Sequence, residues 1–321
     1  MAASVIEPEK IRRQLEDLWI GHGGELGEPG GVTRACALTL IAVVEEDGPA
    51  GALAETLGGL ARRHPSRTLV VRLAAGGEET LQADVEAQCW MPFGQRRQIC
   101  SEQIVIRCSE ATLAEVPGVI LPLVTPDLPV VLWCPSWRAF GSGMIAPLAM
   151  LAGRIILDTA RAPRSPEAIR VLAAEARRRA GIADLSWTRL TRYRTQIAEV
   201  FGNARNLGRI TQLSAATIDC HGPSPSSEAL LLAGWLHLCL SWPVDGRVRF
   251  HRADDAGAGL LAAVEFGGSS EPPIRVDLTG AEEDSSETAL LSEELGIEGR
   301  DRVFEQSLEY AARIAETAAP P

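Results

Sequence analysis

Ala35-Cys-Ala-Leu-Thr-Leu-Ile-Ala-Val-Val44 is a short, mostly apolar run bounded by turn residues. Such a run is typical of a strand buried on both faces of a sheet. The pattern that follows predicts a helix over 51–63, which ends at His64-Pro65 because proline restricts the residue before it. Residues 68–73 then predict a second strand. These elements indicate a strand–helix–strand unit with a right-handed crossover, and therefore an α/β domain.

The remainder of the first half continues this mixed pattern. Residues 81–90 and 98–107 predict an antiparallel pair, joined by a loop that contains Pro92 and Gly94. A helix is predicted over 112–123, and two further buried strands are predicted at 129–133 and 154–158. We therefore expect residues 1–163 to form an N-terminal α/β domain around a mixed sheet.

A linker is predicted at Arg161-Ala-Pro-Arg-Ser-Pro166 because the segment is polar and contains two prolines. Residues 164–321 are then expected to form a C-terminal α+β domain of helices and a meander. Its helices are predicted at 167–180, 185–201, 226–240 and 289–315, and its strands at 213–220, 248–252, 259–266 and 274–278. The predicted fold class is α/β (α+β) with two domains.

Composition excludes several classes of function. The net charge of −11 at pH 7 argues against a general nucleic-acid binder, because phosphates would be repelled. Lys10 is the only lysine, so that lysine-dependent chemistry has almost no candidate residue. No apolar run reaches the roughly 18–20 residues of a membrane span. Seven irregularly spaced cysteines suggest reduced thiols and a cytoplasmic protein.

Motifs for catalysis and metal binding are absent from the sequence. It contains no GxGxxG, GxxxxGK[ST], HExxH or GxSxG pattern. No two of the five histidines have the i, i+4 spacing of a helical metal site, and Cys220-His221 lacks further ligands at suitable spacing. We therefore predict no metal, no cofactor and no catalytic residues, which favours a protein that binds over one that catalyses.

The segment Asp184-Leu-Ser-Trp-Thr-Arg-Leu-Thr-Arg-Tyr-Arg194 is the strongest candidate for partner binding. Arginine and aromatic side chains are enriched where proteins grip anionic or protein surfaces. We expect a partner-binding patch that consists of Trp187, Arg189, Arg192 and Arg194. A plain amphipathic helix with a solvated arginine face, and Trp187 packed at its start, fits the same pattern.

A second basic cluster, Arg62-Arg63-His64-Pro65-Ser66-Arg67, lies where a helix is followed by a strand. Arg63, His64 and Arg67 form a possible anion site. Cations beside the C-terminus of a helix are also favourable because of the helix dipole, so the cluster has an equally good structural explanation.

Two cysteines form a possible redox pair. If the hairpin turns around 93–95, Cys89 and Cys100 face each other across neighbouring strands, where Cβ atoms approach to roughly 4.5–5.5 Å. A disulfide is then geometrically conceivable. A pair of ordinary buried thiols is the interpretation that the expected reducing compartment favours.

Four segments in order resemble the glucose-6-phosphate dehydrogenase assembly protein OpcA family. They are Arg63-His-Pro-Ser-Arg-Thr-Leu-Val70, Ser101-Glu-Gln-Ile-Val-Ile-Arg107, Val119-Ile-Leu-Pro-Leu-Val-Thr-Pro-Asp-Leu-Pro-Val-Val-Leu-Trp133 and Asp184-Leu-Ser-Trp-Thr-Arg-Leu-Thr-Arg-Tyr-Arg194. The chain departs from the pattern at Cys134, where relatives often have tryptophan, and at Arg192-Tyr193, where they often have Pro-Trp.

The resemblance implies a non-catalytic partner of glucose-6-phosphate dehydrogenase that promotes the active oligomer or activates the enzyme allosterically. It also implies two domains. The alternative is a sugar-phosphate-binding enzyme or sensor, in which the arginines at 62, 63 and 67, or at 189–194, would clamp the phosphate. Asp127, Asp158 and His64 would then be the available acid–base groups.

Overall fold

The computed structural model describes residues 8–23, 32–76, 81–90, 98–222, 224–253, 261–268, 272–278, 285–297 and 299–317. The chain divides into two compact units, Met1–Leu157 and Asp158–Pro321. The predicted domain boundary between residues 163 and 164 stays a prediction.

The first unit alternates strands and helices. Its elements are α1 (Pro8–Gly23), β1 (Val32–Arg34), β2 (Leu38–Glu45), α2 (Ala50–Arg63), β3 (Ser66–Ala74), β4 (Leu81–Trp90), β5 (Gln98–Ser109), α3 (Val116–Ile120), β6 (Val130–Trp133), α4 (Trp137–Gly141), α5 (Ala146–Ala149) and β7 (Arg154–Leu157). Short 3₁₀ turns flank α3, so the helix predicted over 112–123 is present only as a series of shorter segments. Helix α1 carries Lys10, whose side chain is exposed.

The strands of this unit lie in one sheet in the order β1-β5-β3-β2-β6-β7, and β4 pairs with β5 from outside this path. Neighbours along the path are parallel, whereas β4 and β5 are antiparallel as predicted. The apolar run of β2 lies between β3 and β6, where Ile41 pairs with Leu69 and Leu132. All three side chains are fully buried. A continuous apolar run of this kind is typical of a central strand of a parallel sheet, whose two faces are both covered.

The order of the strands reverses between β2 and β6. The chain passes from β2 to β3 on one side of this point and from β6 to β7 on the other. In open α/β sheets, ligands bind beyond the carboxyl ends of the strands at such a switch point. The carboxyl end of β2 is Glu45, and β6 leads into Cys134, Pro135 and Ser136.

The second unit contains a small sheet and a group of helices. Its elements are α6 (Ser165–Arg178), β8 (Ile182–Asp184), α7 (Leu185–Arg189), α8 (Thr191–Gly202), α9 (Ala204–Leu207), β9 (Leu213–Cys220), α10 (Ser227–Cys239), β10 (Val248–Arg252), β11 (Leu261–Gly268), β12 (Ile274–Asp277), α11 (Glu287–Leu295) and α12 (Arg302–Thr317).

The sheet of the second unit differs from the predicted meander. Its order is β10-β9-β11-β12, with β10 parallel to β9 and the other two pairs antiparallel. Only β11 and β12 form the consecutive antiparallel pair of a meander, because β9 inserts between β10 and β11. The last helix, predicted as one segment over 289–315, is two helices interrupted at Gly296 and Gly299.

Helix α10 forms the apolar centre of the second unit. Ser226 caps it by accepting a hydrogen bond from the Ala229 amide at 3.2 Å. Leu230, Leu231 and Leu232 are fully buried, and α10 packs closely against α12. Gly234 permits this approach, since a Cβ atom there would lie 2.1 Å from the Ser307 carbonyl oxygen of α12.

Candidate functional site

The predicted partner-binding segment folds as α7 followed by α8, with a break at Leu190. Asp184 caps α7, because its Oδ1 accepts a hydrogen bond from the Ser186 amide at 3.1 Å. The same carboxylate accepts two further hydrogen bonds from Thr159, from the amide at 3.0 Å and from the hydroxyl at 2.5 Å. Asp184 therefore joins the start of α7 to the segment that follows residue 157.

Arg189 lies at the centre of a buried acidic cluster. Its two terminal nitrogens donate to the two carboxylate oxygens of Asp158, both at 2.7 Å. Glu228 lies 3.5 Å from the same guanidinium. The side chains of Asp158 and Glu228 are each 1% exposed. One arginine thus neutralises carboxylates that have almost no access to water.

Arg161 supplies a second cation at the edge of this acidic cluster. Its Nε lies 3.3 Å from Asp158, and its terminal nitrogen pairs with Glu287. Because Arg161 is about half exposed, its attraction is screened more than that of Arg189. Burial raises the pKa of Glu287 and of Glu228, and the charges of the nearby arginines oppose this shift.

The acidic cluster changes the titration of Asp184. Burial, and secondly the negative charge of Asp158, raise the pKa of Asp184 to about 7. The folded protein therefore retains a proton on Asp184 at pH values where the unfolded chain, with an ordinary carboxyl pKa, has already released it. The contribution of Asp184 to the free energy of unfolding is greatest below the ordinary carboxyl pKa. It is lost as pH rises towards the folded-state pKa of about 7.

Asp184→Asn is expected to remove this pH dependence. The amide keeps the acceptor for Ser186 and can donate to the Thr159 hydroxyl, so the variant should fold. Its free energy of unfolding relative to wild type should rise between about pH 4 and pH 7, by at most about 1.4 kcal/mol per pH unit. Urea unfolding across this range measures the difference. Asp277→Asn, at a largely exposed carboxylate, is the control. If the unfolding free energy of Asp184→Asn relative to wild type depends on pH no more than that of the control, the raised pKa of Asp184 is contradicted.

Trp187 and Arg194 form a second internal arrangement. Trp187 is 4% exposed, donates from Nε1 to Asp301 at 2.8 Å and packs against Phe304 at a ring distance of 5.6 Å. The Arg194 guanidinium lies over the Trp187 ring, 3.5 Å from its centroid. Burial lowers the pKa of Arg194 to about 10. Arg194 also donates to Thr191 Oγ1 at 3.2 Å.

These contacts show where the members of the predicted partner-binding patch lie. Trp187 is a buried packing residue, and Arg189 is used by Asp158 and Glu228, because both side chains find their partners within the second unit. Arg192 and Arg194 are half-buried. A contribution of this segment to a partner surface stays a prediction. Substitution of Arg192 tests it, because this change leaves Arg189 in place beside Asp158 and Glu228.

The predicted anion cluster is divided by the fold. Arg67 donates to Glu102 at 2.6 Å and to the Leu123 carbonyl at 2.6 Å, and the Glu102 side chain is 3% exposed. Arg63 is exposed at the C-terminal end of α2, and His64 follows it. This end of α2 carries the negative end of the helix dipole, which disfavours an anion. The structure therefore assigns Arg67 to an internal ion pair and does not favour a phosphate clamp here.

The two candidate cysteines are opposite each other in the sheet. The register of β4 and β5 pairs Cys89 with Cys100. Cys100 is fully buried and disulfide-bonded, which corrects the expectation that it is an ordinary thiol. The turn predicted at 93–95 lies outside the described residues. A redox role for this pair stays a prediction.

Sequence reasoning missed a charged cluster at the switch point of the first unit. Arg138 donates to Glu45 at 2.6 Å and to Glu110 at 2.5 Å, and Ser136 donates to Glu45 at 2.5 Å. The Arg138 hydrogen bond lowers the pKa of Glu45. The signal was available, since Glu45 follows directly on one predicted buried strand and Ser136 lies three residues beyond the end of another. Because Arg138 is already paired with two glutamates, its guanidinium is not free to bind a ligand at this edge of the sheet.

A second missed feature is an apolar cavity of about 370 Å³ in the second unit. Residues of α8, the following segment, α10 and β11 line it. Leu207, on its wall, is 58% exposed. Periodicity predicted these elements separately but could not indicate that they enclose a space.

Among the residues that the structure describes, no group of three or more histidine, cysteine, aspartate or glutamate side chains could hold a metal ion. Within the same residues, none of the helices is long and apolar enough to cross a membrane.

Comparison with known proteins gives a consistent result. Family models match residues 58–174, described as the glucose-6-phosphate dehydrogenase subunit N-terminal domain, and 180–308, described as its C-terminal domain. Similar curated relatives, each called an OxPP cycle protein OpcA, come from Nostoc punctiforme, Synechocystis and Synechococcus elongatus.

The similarity to these relatives extends over most of this chain. Identities are 27%, 26% and 24%, over 69%, 69% and 86% of the chain. The chain spans 46% of the length of each of the first two relatives and 67% of the third.

The fold and the clusters define a two-domain α/β protein in which Arg67 and Arg189 form internal ion pairs. Within that class, the two family models together match most of the chain. The chain belongs to the OpcA family of glucose-6-phosphate dehydrogenase assembly proteins.

Proposed function

We propose that this protein is a non-catalytic factor that binds glucose-6-phosphate dehydrogenase and favours its active oligomeric state. The match of both parts of the chain to domains described as belonging to a glucose-6-phosphate dehydrogenase subunit carries the proposal. The internal use of Arg67 and Arg189 supports it, because these arginines are not available to clamp a sugar phosphate.

Such a factor acts through a difference in affinity. It shifts the dehydrogenase towards one state only as far as it binds that state more tightly than the others. Coupling free energies between sites are typically about 1–3 kcal/mol, which corresponds to about 5- to 150-fold in affinity. Activation therefore requires a binding surface that complements the active oligomer and needs no catalytic group on this chain.

The test is an assay of the dehydrogenase from the same organism with and without this protein. We expect increased activity and co-elution in size-exclusion chromatography, with a shift of the dehydrogenase towards the larger oligomer. This protein alone, given glucose 6-phosphate and NADP⁺, should show no turnover. Unchanged activity with separate elution, in both reduced and oxidised buffer, would overturn the proposal.

A further inference from the structure

The apolar cavity of the second unit has the composition of a docking pocket. Its walls include Ile197 and Phe201 of α8, Leu207, Ile210, and Trp235 of α10. The only polar side-chain atoms in its lining are the Cys239 thiol and the Trp235 indole nitrogen. Its volume of about 370 Å³ falls within the roughly 300–1,000 Å³ of typical binding pockets. The cavity therefore suits an apolar group.

One side of this pocket is open to water. Leu207 is 58% exposed, and Cys239, which also lines the pocket, is exposed. A contiguous apolar surface on a folded unit often marks an interaction site, whereas a single exposed leucine does not. Between Gly202 and Gly208, every described residue except Asn206 is exposed, so that the rim is accessible to another protein.

The charge around the pocket selects the partner's chemistry. Arg194 shares a face of α8 with Ile197 and Phe201, since these positions are i, i+3 and i+7. Arg194 stacks on Trp187, and the negative charges of Asp301, Glu293 and Glu294 act on it, so that it is compensated within its own unit.

A second cation lies at the exposed rim. Arg205 is two residues before Leu207 and is exposed, and its side chain has no partner among the residues described. The chain as a whole has a net charge of −11, so a basic rim on an apolar pocket is a local exception. Its complement is a surface that presents an apolar side chain next to carboxylates.

We propose that this pocket docks an acidic segment of the dehydrogenase, with one large apolar side chain inserted between α8 and α10 and a carboxylate facing Arg205. The inference rests on the proposed function and assigns its contact surface.

Leu207→Asp and Arg205→Glu are the variants that test the docking site. Both side chains are exposed, so the free protein should fold, which circular dichroism and the Tm check. Each change should lower the affinity for the dehydrogenase by at least about tenfold, since Leu207→Asp places a carboxylate in an apolar contact and Arg205→Glu sets like charges opposite each other. Val303→Asp, at a valine that is 46% exposed, and Arg178→Glu, at an arginine that is 80% exposed, are matched controls in the same unit.

The outcomes separate the two proposals. If wild type itself neither binds nor activates the dehydrogenase, the proposed function fails. If wild type binds, and Leu207→Asp and Arg205→Glu bind as tightly as the controls, the docking site is wrong while the function stands. If the variants change self-association of the free protein instead, the pocket is an interface between copies of this chain and the proposal is overturned.

Alkylation of Cys239 gives a second measurement that needs no substitution. Maleimide treatment followed by peptide mass spectrometry reports the labelling of each free cysteine. The pH is mildly alkaline because partial burial of the thiol raises the pKa of Cys239, although the residue as a whole is exposed. Bound dehydrogenase should slow labelling of Cys239 severalfold and leave Cys36, in the first unit, unchanged. Equal labelling of Cys239 in the free and bound protein would count against docking at this pocket.

Discussion

Arg189→Met is expected to lower the free energy of unfolding of the second unit by about 3–5 kcal/mol, because removing one partner leaves buried charge uncompensated. Asp158 and Glu228 are each 1% exposed, and Arg189 is the cation that contacts both. Methionine keeps much of the side-chain volume, so that the loss reports charge more than packing. With typical stabilities of about 5–15 kcal/mol, the change would remove a large part of the total.

Two companion variants define the cause of the Arg189→Met effect. Arg178→Met breaks a surface pair with Glu175, in which the arginine is 80% exposed, and should cost less than about 1 kcal/mol. The double variant Asp158→Asn/Arg189→Met should recover part of the loss, because it also removes the buried negative charge that the loss of Arg189 leaves uncompensated. Guanidinium unfolding measures all three; a cost for Arg189→Met as small as that of the control would refute the account.

Gly234→Ala is expected to cost about 3 kcal/mol or more, although alanine is the better helix former. An added Cβ would lie 2.1 Å from the Ser307 carbonyl oxygen and 2.9 Å from the Ala311 amide nitrogen. Both atoms belong to the backbone of α12, so that relief requires the two helices to move apart. The apolar contacts of α10, including the fully buried Leu230–Leu232, would loosen with them.

Gly58→Ala is the matched change in a helix with free space. A Cβ at Gly58 in α2 meets no atom within 4 Å, so the substitution should raise stability by roughly 0.5–1 kcal/mol. Urea unfolding followed by tryptophan fluorescence compares the two variants. Equal effects at the two glycines would mean that the helix contact at Gly234 is not as close as the structure shows.

The first unit was predictable because local patterns and neighbour relations agree there. The apolar run of β2 indicates a strand buried on both faces, and its parallel neighbour β3 was expected from the strand–helix–strand pattern, whereas its pairing with β6 was not predicted. The pairing of β4 with β5 followed from their short connection. Caps were also readable, since Asp184 and Ser226 are residues that commonly begin helices.

The second unit was less predictable because pairing between distant strands leaves no local signal. The alternating pattern of β10 indicates a strand but not that it pairs in parallel with β9. The environment of the arginines was hidden for the same reason. Arg189 follows Asp158 by 31 residues and Arg67 precedes Glu102 by 35, so that each reads as a solvent-facing cation until the fold brings its carboxylate close.

The solitary lysine on α1 has a practical chemical consequence. Lys10 is exposed, whereas every other basic side chain apart from histidine is an arginine, which does not react with succinimidyl esters. Apart from the α-amino group, such reagents therefore have one attachment point on the whole chain. A fluorophore or a cross-linker placed there would report from a known helix, so that distances to a bound partner could be interpreted without engineering a tag.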